Sequence, residues 1–354
     1  MQVYESKLYQ EDVRYIASLN LPWEKLNNKS ILISGASGLI GSCFIDTIMR
    51  RNKEGMNCKV YALGRSIEKA NKRFEYCWNS SLFEFIKYDI NQPLIKNNID
   101  TIDYVVHLAS NTHPVAYATD PIGTITTNII GTNNMLKFAV ENQATRFAFA
   151  SSNEIYGENR GDVEKFDEDY CGYINSNTMR AGYPESKRCG EALCQAYIKQ
   201  RGLDVVVPRL TRSYGPTMLM SDTKAISQFI RKAISNEDII LKSEGTQYYS
   251  YTYVADAVSG LFTVLLCGKC GEAYNIADDK SDIMLKDLAS ITADTCGKKV
   301  VFKLPDELEK SGYSKATKAR LESSKIKSIG WKPKYNITQG IKRTVEILRE
   351  IQNE

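Results

Sequence analysis

Short apolar runs alternate with amphipathic stretches from about residue 30 to residue 210. Ser30-Ile31-Leu32-Ile33-Ser34 is a brief apolar run closed by a glycine, the pattern of a parallel strand covered on both faces. Leu39 to Arg51 follows with helical spacing. The strand pattern recurs at Lys59–Leu63, Glu84–Tyr88, Tyr104–Ala109, Arg146–Ala150 and Asp204–Arg209, with a helix predicted over Asn128–Glu141. Strands alternating with helices predict an α/β fold with a doubly wound parallel sheet, the Rossmann arrangement. No internal repeat or low-complexity linker breaks the rhythm.

After Tyr214-Gly215-Pro216 the pattern loosens. Thr223–Ser235 reads as a helix, Ile239–Leu241 as a short strand and Thr338–Gln352 as a closing helix. This predicts a smaller α/β C-terminal lobe for substrate. Ahead of the sheet, Leu8 to Leu26 reads as a helix and a tether, with Trp23 as docking anchor. The expected organisation is an N-terminal extension at 1–27 and a dinucleotide-binding domain at 28–211 with a return segment at 249–279. Residues 212–248 and 280–354 form the substrate lobe.

Gly35-Ala36-Ser37-Gly38-Leu39-Ile40-Gly41 lies between the first strand and its helix. The glycines permit a tight turn, a close approach to a pyrophosphate and close helix–strand packing. The helix N-terminus then presents free N–H groups to the phosphates. In strand–turn–helix context this string predicts dinucleotide binding. The second strand ends in Gly64-Arg65-Ser66, without the acid that would bond a ribose 2′-hydroxyl. Arg65 either pairs with a 2′-phosphate, which means NADP, or stacks on the adenine. Asp89-Ile90, after the third strand, is placed to touch the adenine.

Tyr183 and Lys187 stand four apart in Tyr183-Pro184-Glu185-Ser186-Lys187, which on a helix shares one face. An ammonium beside a phenol favours the phenolate, so Tyr183 is expected to act as a base nearer neutral pH. Ser152, in Ser151-Ser152-Asn153-Glu154-Ile155-Tyr156-Gly157, would share the proton. Glu154 lies two residues on, a spacing that keeps one face on an extended strand end. A carboxylate there serves as a further acid/base or orients a sugar hydroxyl.

Composition narrows the class. The chain of 354 residues is 43% apolar and 25% charged, with a formal charge of +4. No lysine and arginine block marks a nucleic-acid surface, and no apolar stretch reaches the ~18 residues of a membrane span. Residues 1–27 read as polar rather than as a leader. Nine scattered cysteines suggest a reducing compartment, so the expected location is the cytoplasm. Cys267-Gly-Lys-Cys270 lacks the two further ligands that a zinc site requires, and His107 and His113 lie far off in sequence. No metal is expected.

Taken together, these residues resemble the extended short-chain dehydrogenase/reductases, the nucleotide-sugar epimerase, dehydratase and decarboxylase group. The similarity runs from residue 28 to about residue 350. It rests on the glycine loop, His107-Leu108-Ala109-Ser110, Asn128, the segments 151–157 and 183–187, Tyr214-Gly215-Pro216, Tyr253-Val254-Ala255-Asp256 and Gly330-Trp331-Lys332-Pro333. Asp120–Asn128, Gly131–Leu136, Gly172–Asn175 and Arg180 are most similar to UDP-glucuronate decarboxylases.

The resemblance implies NAD, transient oxidation at C4 of a nucleotide sugar, and a homodimer built through the helices beginning near Asn128 and Tyr183. It implies that Tyr183 is the base, that Lys187 tunes it and holds the nicotinamide ribose, that Ser152 shares the proton, and that Glu154 assists at the sugar. It adds Leu108, Ala109, Ser110 and Asn128 to the cofactor site, and Asn153, Arg180, Arg212, Tyr249 and Arg320 to the substrate site. Decarboxylation of a UDP-hexuronate is the first expectation, with 4-epimerisation, 4-reduction or 4,6-dehydration as alternatives. A non-catalytic dinucleotide sensor is the rival from another class.

Three positions depart from the group's pattern. Asn153 replaces the aspartate typical of a sugar 4,6-dehydratase, and an amide cannot donate a proton as an acid. Arg212 stands where the group has asparagine, and Tyr249 where it often has a diphosphate-binding arginine. Arg212 or Arg320 is the candidate for the missing phosphate contact.

Overall fold

The structure is a computed structural model that describes residues 2–94, 99, 101–112, 114–303 and 317–352. His113 lies outside the described residues. The strands are β1 Ser30–Ser34, β2 Lys59–Gly64, β3 Phe83–Lys87, β4 Tyr104–His107, β5 Arg146–Phe149, β6 Ser151–Ser152 and β7 Val205–Leu210. They continue as β8 Arg212–Tyr214, β9 Ile239–Leu241, β10 Tyr248–Tyr253, β11 Ala273–Ile276, β12 Asp282–Met284, β13 Val300–Phe302 and β14 Lys318–Ala319. The helices are α1 Lys7–Ala17, α2 Leu39–Asn52, α3 Ile67–Phe74, α4 Pro114–Thr119, α5 Pro121–Thr126 and α6 Thr132–Glu141. After them come α7 Gly182–Arg201, α8 Ala225–Ile234, α9 Val254–Cys267, α10 Leu285–Asp294, α11 Ser324–Ser328 and α12 Ile337–Gln352.

The large sheet runs β11-β7-β5-β4-β1-β2-β3, all parallel, with β6 beside β7. Its middle strands are apolar and fully buried because helices cover both faces. This is the doubly wound α/β fold that the strand–helix alternation predicts. A smaller sheet orders β12-β10-β14, with β8 also pairing β10. β10 thus joins the smaller sheet, and the return to the large one runs through α9 and β11. The two sheets meet where β7 passes into β8, at Thr211, so Arg212 begins the smaller sheet one step beyond the larger.

Two predicted elements differ in detail. The helix expected over 128–141 is α-helical only from Thr132, and Thr127–Gly131 forms a π-turn. A Cβ on Gly131 would lie 2.6 Å from the Ile90 side chain, so that turn packs against the end of the third strand. The extra residue turns Asn128 inward, where it is 1% exposed. The segment from Asn153 to Tyr156 is a 3₁₀ turn rather than extended strand, because Ser152 Oγ accepts from Glu154 N and caps it. The reason for placing Glu154 on the Ser152 face therefore fails, although Glu154 still reaches the site.

Residues 2–27 pack on the main body through α1. Trp23 is buried with its ring centroid 4.9 Å from that of Phe262, as its anchoring role predicts. Tyr9 and Asp12, three apart on α1, reach into the body and hydrogen-bond Asp46 and Tyr253. The extension is thereby part of the core.

Candidate active site

At the C-terminal edge of the large sheet the strands open onto a cavity of about 350 Å³. Gly35 ends β1 at φ +71°, a backbone region that L side chains avoid. A Cβ there would sit 2.8 Å from Ala109 N, so only glycine lets the loop lie against the turn after β4. A Cβ on Gly41 would meet the Gly35 carbonyl at 2.4 Å, which fixes α2 close under the loop. The turn after β4 is itself held from inside. Ser34 Oγ accepts from Leu108 N and Ala109 N, both at 3.2 Å, and lies 2.6 Å from His107 Nδ1. His107 Nε2 is 3.1 Å from Thr132 Oγ1. Burial pushes His107 down to about 3, so the ring is neutral at working pH and ties β1, β4 and α6 together.

Gly35, Ser37, Gly38, Leu39, Ile40, Gly41, Arg65, Asp89, Ile90, Leu108, Ala109 and Ser110, all expected at the cofactor, border this single cavity. Gly38 is the N-cap of α2, so free backbone donors and the helix dipole face it. A glycine loop with no room for side chains, set at a helix start, fits a dinucleotide pyrophosphate. Asn128 does not border the cavity. It lies behind it, accepting from Ser110 Oγ at 2.7 Å and donating to Ser186 Oγ at 2.9 Å. From there it holds Ser110 and the start of α7 in place.

Ser152, Asn153, Glu154, Tyr183 and Lys187 border the same cavity from the other side. Tyr183 and Lys187 share one face at the start of α7, as their spacing predicts, and both are buried. The electrostatics depart from expectation. Lys187 Nζ donates to the Ala150 carbonyl at 2.8 Å, and burial lowers its pKa to about 8. Tyr183 is pushed up to about 12, first by burial and then by the charge of Glu154. Hydrogen bonds from Ser152 and Ser110 and the charge of Arg180 pull the other way. In the protein alone the phenol is thus a protonated group beside a carboxylate; Lys187 does not make it a phenolate.

A second cavity of about 170 Å³ continues from the first toward α8 and the smaller sheet. It mixes apolar walls (Ile226, Phe229, Leu241, Leu285) with Lys224, Lys242, Gln247 and Ser243. A third, of about 160 Å³, opens past Asn153, Tyr173, Asn175 and Thr178. Glu154 and Arg212 border all three. Arg180 donates to Glu154 at 2.5 Å. Tyr249 lines the second cavity with the Arg212 guanidinium 3.5 Å from its ring centroid. Of the residues expected at the substrate, Arg320 is the exception. It lies over the Tyr248 ring at 4.5 Å, with Glu164 at 3.6 Å, and borders none of these cavities.

Sequence reasoning missed Tyr117, whose ring centroid is 4.9 Å from that of Tyr183 and which stacks under Arg180 at 4.6 Å. It sits just ahead of the Asp120–Asn128 stretch, which was the available signal. It also missed Tyr88, at the end of the third predicted strand, and Asp222 and Lys224, in the loop ahead of α8, all of which border the first cavity. Cys267 ends α9 and Cys270 follows it, and among the described residues no group of three or more His, Cys, Asp or Glu could hold a metal ion.

The model of the NAD dependent epimerase/dehydratase family matches residues 31–277, which takes in the glycine loop, Ser152, Tyr183 and Lys187. The chain belongs to that family. Within it, the chain is 30% identical over 330 residues to UDP-glucuronic acid decarboxylase 1 of Danio rerio, covering 93% of this chain and 75% of that protein. It is 29% identical over 315 residues to UDP-glucuronic acid decarboxylase 3 of Arabidopsis thaliana, covering 89% and 87%. In fold it is similar to dTDP-glucose 4,6-dehydratase from Streptomyces venezuelae, with TM-score 0.79, 23% identity, and 91% and 98% of the two chains covered. It is also similar to UDP-glucuronic acid 4-epimerase from Bacillus cereus, with TM-score 0.77, 22% identity, and 91% and 99% covered. The family membership agrees with the resemblance that the motifs carry, and the extended short-chain dehydrogenase/reductase architecture is the one observed.

Proposed function

We propose that this family member oxidises C4 of a nucleotide-linked hexuronate and releases its carboxyl carbon as CO₂, a UDP-glucuronate decarboxylase-like reaction. The observation that carries it is the Tyr183 phenol, bordering with Ser152 the same cavity as the dinucleotide-shaped glycine loop. A bound nicotinamide would take the C4 hydride and later return it. Tyr183, its raised phenol pulled back toward the phenolate by the positive charge of a bound nicotinamide, accepts the C4 hydroxyl proton with Ser152 and gives it back. Lys187, anchored on Ala150, lies one turn along α7 to hold the ribose. A C4 ketone makes the sugar acid a β-keto acid. The C5–C6 bond then breaks, its electron pair passes to C5 and the C4 oxygen, CO₂ leaves and C5 takes a proton. Glu154, beside the phenol, orients the sugar and is placed to handle that proton.

NAD is the proposed cofactor. Arg65, exposed at the lip after β2, is the group that would meet a 2′-phosphate, so the ratio of NAD to NADP affinity reads its role. Asn153 speaks against dehydration because its amide supplies no acidic proton. All nine cysteines are free, which favours the cytoplasm. None of the described helices is long and apolar enough to cross a membrane. Ile122 at 75% and Ile130 at 45% exposed lie along α5 and the π-turn, and Ala192 and Ala196 are exposed on α7, which supports a homodimer through these helices.

Incubation with UDP-glucuronate and NAD tests the reading. The expected products are CO₂ and a UDP-pentose, both absent with Tyr183→Phe. UDP-galacturonate without CO₂ would establish 4-epimerisation instead, and tight NAD binding with no turnover of any nucleotide sugar would establish a sensor.

A further inference from the structure

Arg212 is a charge at the cleft with no ion pair among the described residues. Glu154 is paired with Arg180 at 2.5 Å, and Asp222 with Lys224 at 3.1 Å. Arg212 has no such pairing, and its Nη1 is buried without a hydrogen-bond partner among the described residues. A guanidinium has five donors in a rigid fork and cannot shed its charge. One held with a donor idle beside three cavities is built to receive an oxyanion from one of them.

Where that oxyanion sits follows from the sheet. Ser152 pairs with Leu210, and Arg212 is two residues further along the same run of chain. Thr211 is the step between the two sheets, and Leu210, Thr211 and Arg212 all border the dinucleotide cavity in succession. Arg212 and Glu154 also border the dinucleotide cavity, whereas Lys242 borders only the second one. The guanidinium therefore faces the reacting sugar, and the diphosphate falls toward Lys242 and Ser243. Its orientation is set from β10: Tyr251 is the register partner of Arg212, and Tyr249, two residues back, lays its ring 3.5 Å beneath the guanidinium.

We propose that Arg212, aimed by Tyr249, recognises the carboxylate of the sugar and sets the preference for a hexuronate over the matching neutral hexose. Arg212 is the specificity residue and Tyr249 its positioning residue. This rests on the nucleotide-hexuronate reading above and adds the residue that selects the acid.

The test is calorimetric affinity of the full chain, loaded with NAD, for UDP, UDP-glucose and UDP-glucuronate. Arg212→Gln is expected to cut the glucuronate-to-glucose affinity ratio on the order of 10²-fold, the usual scale for removing one partner of a buried charge pair. Affinity for UDP alone should stay within about threefold, since the removed contact lies outside the diphosphate. Arg212→Lys should keep part of the ratio, Tyr249→Phe should keep it, and Tyr249→Leu should lose about tenfold, as the cation loses its platform. Unchanged melting temperature and NAD affinity show that each variant is folded. An unchanged ratio in Arg212→Gln overturns the proposal. So does an equal loss for UDP and UDP-glucuronate, which would assign the guanidinium to the diphosphate. CO₂ release is read separately. A wild-type preference lost in Arg212→Gln without CO₂ formation upholds the carboxylate contact and removes decarboxylation; CO₂ formation with an unchanged ratio does the reverse.

Discussion

Two regions of this molecule hold carboxylate–arginine pairs of the same chemistry in different surroundings. Asp46, under α1, accepts from Tyr9, from Tyr76 at 2.6 Å and from both arms of Arg73, and is fully buried. Asp12, one turn along α1, accepts from Tyr253 and from Arg343 Nε at 3.1 Å. Every oxygen at this seam has its donors, and no described cavity touches it. Glu154 has one charged partner, Arg180, and borders three cavities. Arg212 nearby has a donor idle. Arg73 also has an idle donor, its Nε, but no described cavity reaches it, and the seam only fastens elements together. Where a charge network is left open next to a cavity it waits for a ligand.

The contrast is broken most sharply by exchanging losses of activity and of stability. Tyr183→Phe should lower kcat by roughly 10²–10⁴-fold, the span for a positioned acid/base, with the melting temperature unchanged. Near-normal turnover would end the proton-transfer role. Asp46→Ala strands a buried Arg73 and should cost about 3–5 kcal/mol of stability, read by urea titration. Those molecules that remain folded should keep their kcat, because Asp46 does not reach the cleft. Glu154→Gln should do the opposite, lowering kcat about 10²-fold while the urea midpoint moves little. A large stability loss there would make Glu154 a structural residue like Asp46.

Acid sharpens the same comparison. His107 is depressed in the fold from its usual 6.5 to about 3, so the unfolded chain binds the extra proton between those values. Its contribution to stability is complete above about pH 6.5 and is lost as pH falls toward 3. His107→Gln should flatten the acid limb of a stability–pH curve. An unaltered slope would show that another group carries it. The smallest effect is expected at Cys270, exposed and bordering none of the cavities: Cys270→Ser should leave kcat and melting temperature unchanged within error.

The Rossmann sheet was legible because strand, turn and helix there obey local rules. Four or five apolar residues make a covered strand, and a glycine with φ +71° has no substitute at the end of β1. The Tyr183 and Lys187 pair was legible for the same reason, since a four-residue spacing is a property of the helix alone. What that pair does electrically was not. Whether Lys187 acts on the phenol or on Ala150 depends on where β5 ends, and burial outweighs the neighbouring charge. Glu154 was expected in the site for a strand-like reason and arrives there by a 3₁₀ turn. Arg320 and Arg212 looked alike in sequence, as two arginines outside the large sheet, and only one borders the cleft.

The sequence by itself determined the order of elements, the dinucleotide loop and the catalytic candidates, because each is written in spacings of two, three or four residues. Tertiary structure alone decided which charges are closed and which are open. Glu154, Arg180, Arg212 and Tyr249 are up to 95 positions apart along the chain. Their meeting depends on β6 pairing β7 and on β8, which follows β7, pairing β10, and a pairing between distant strands leaves no periodic trace in either one.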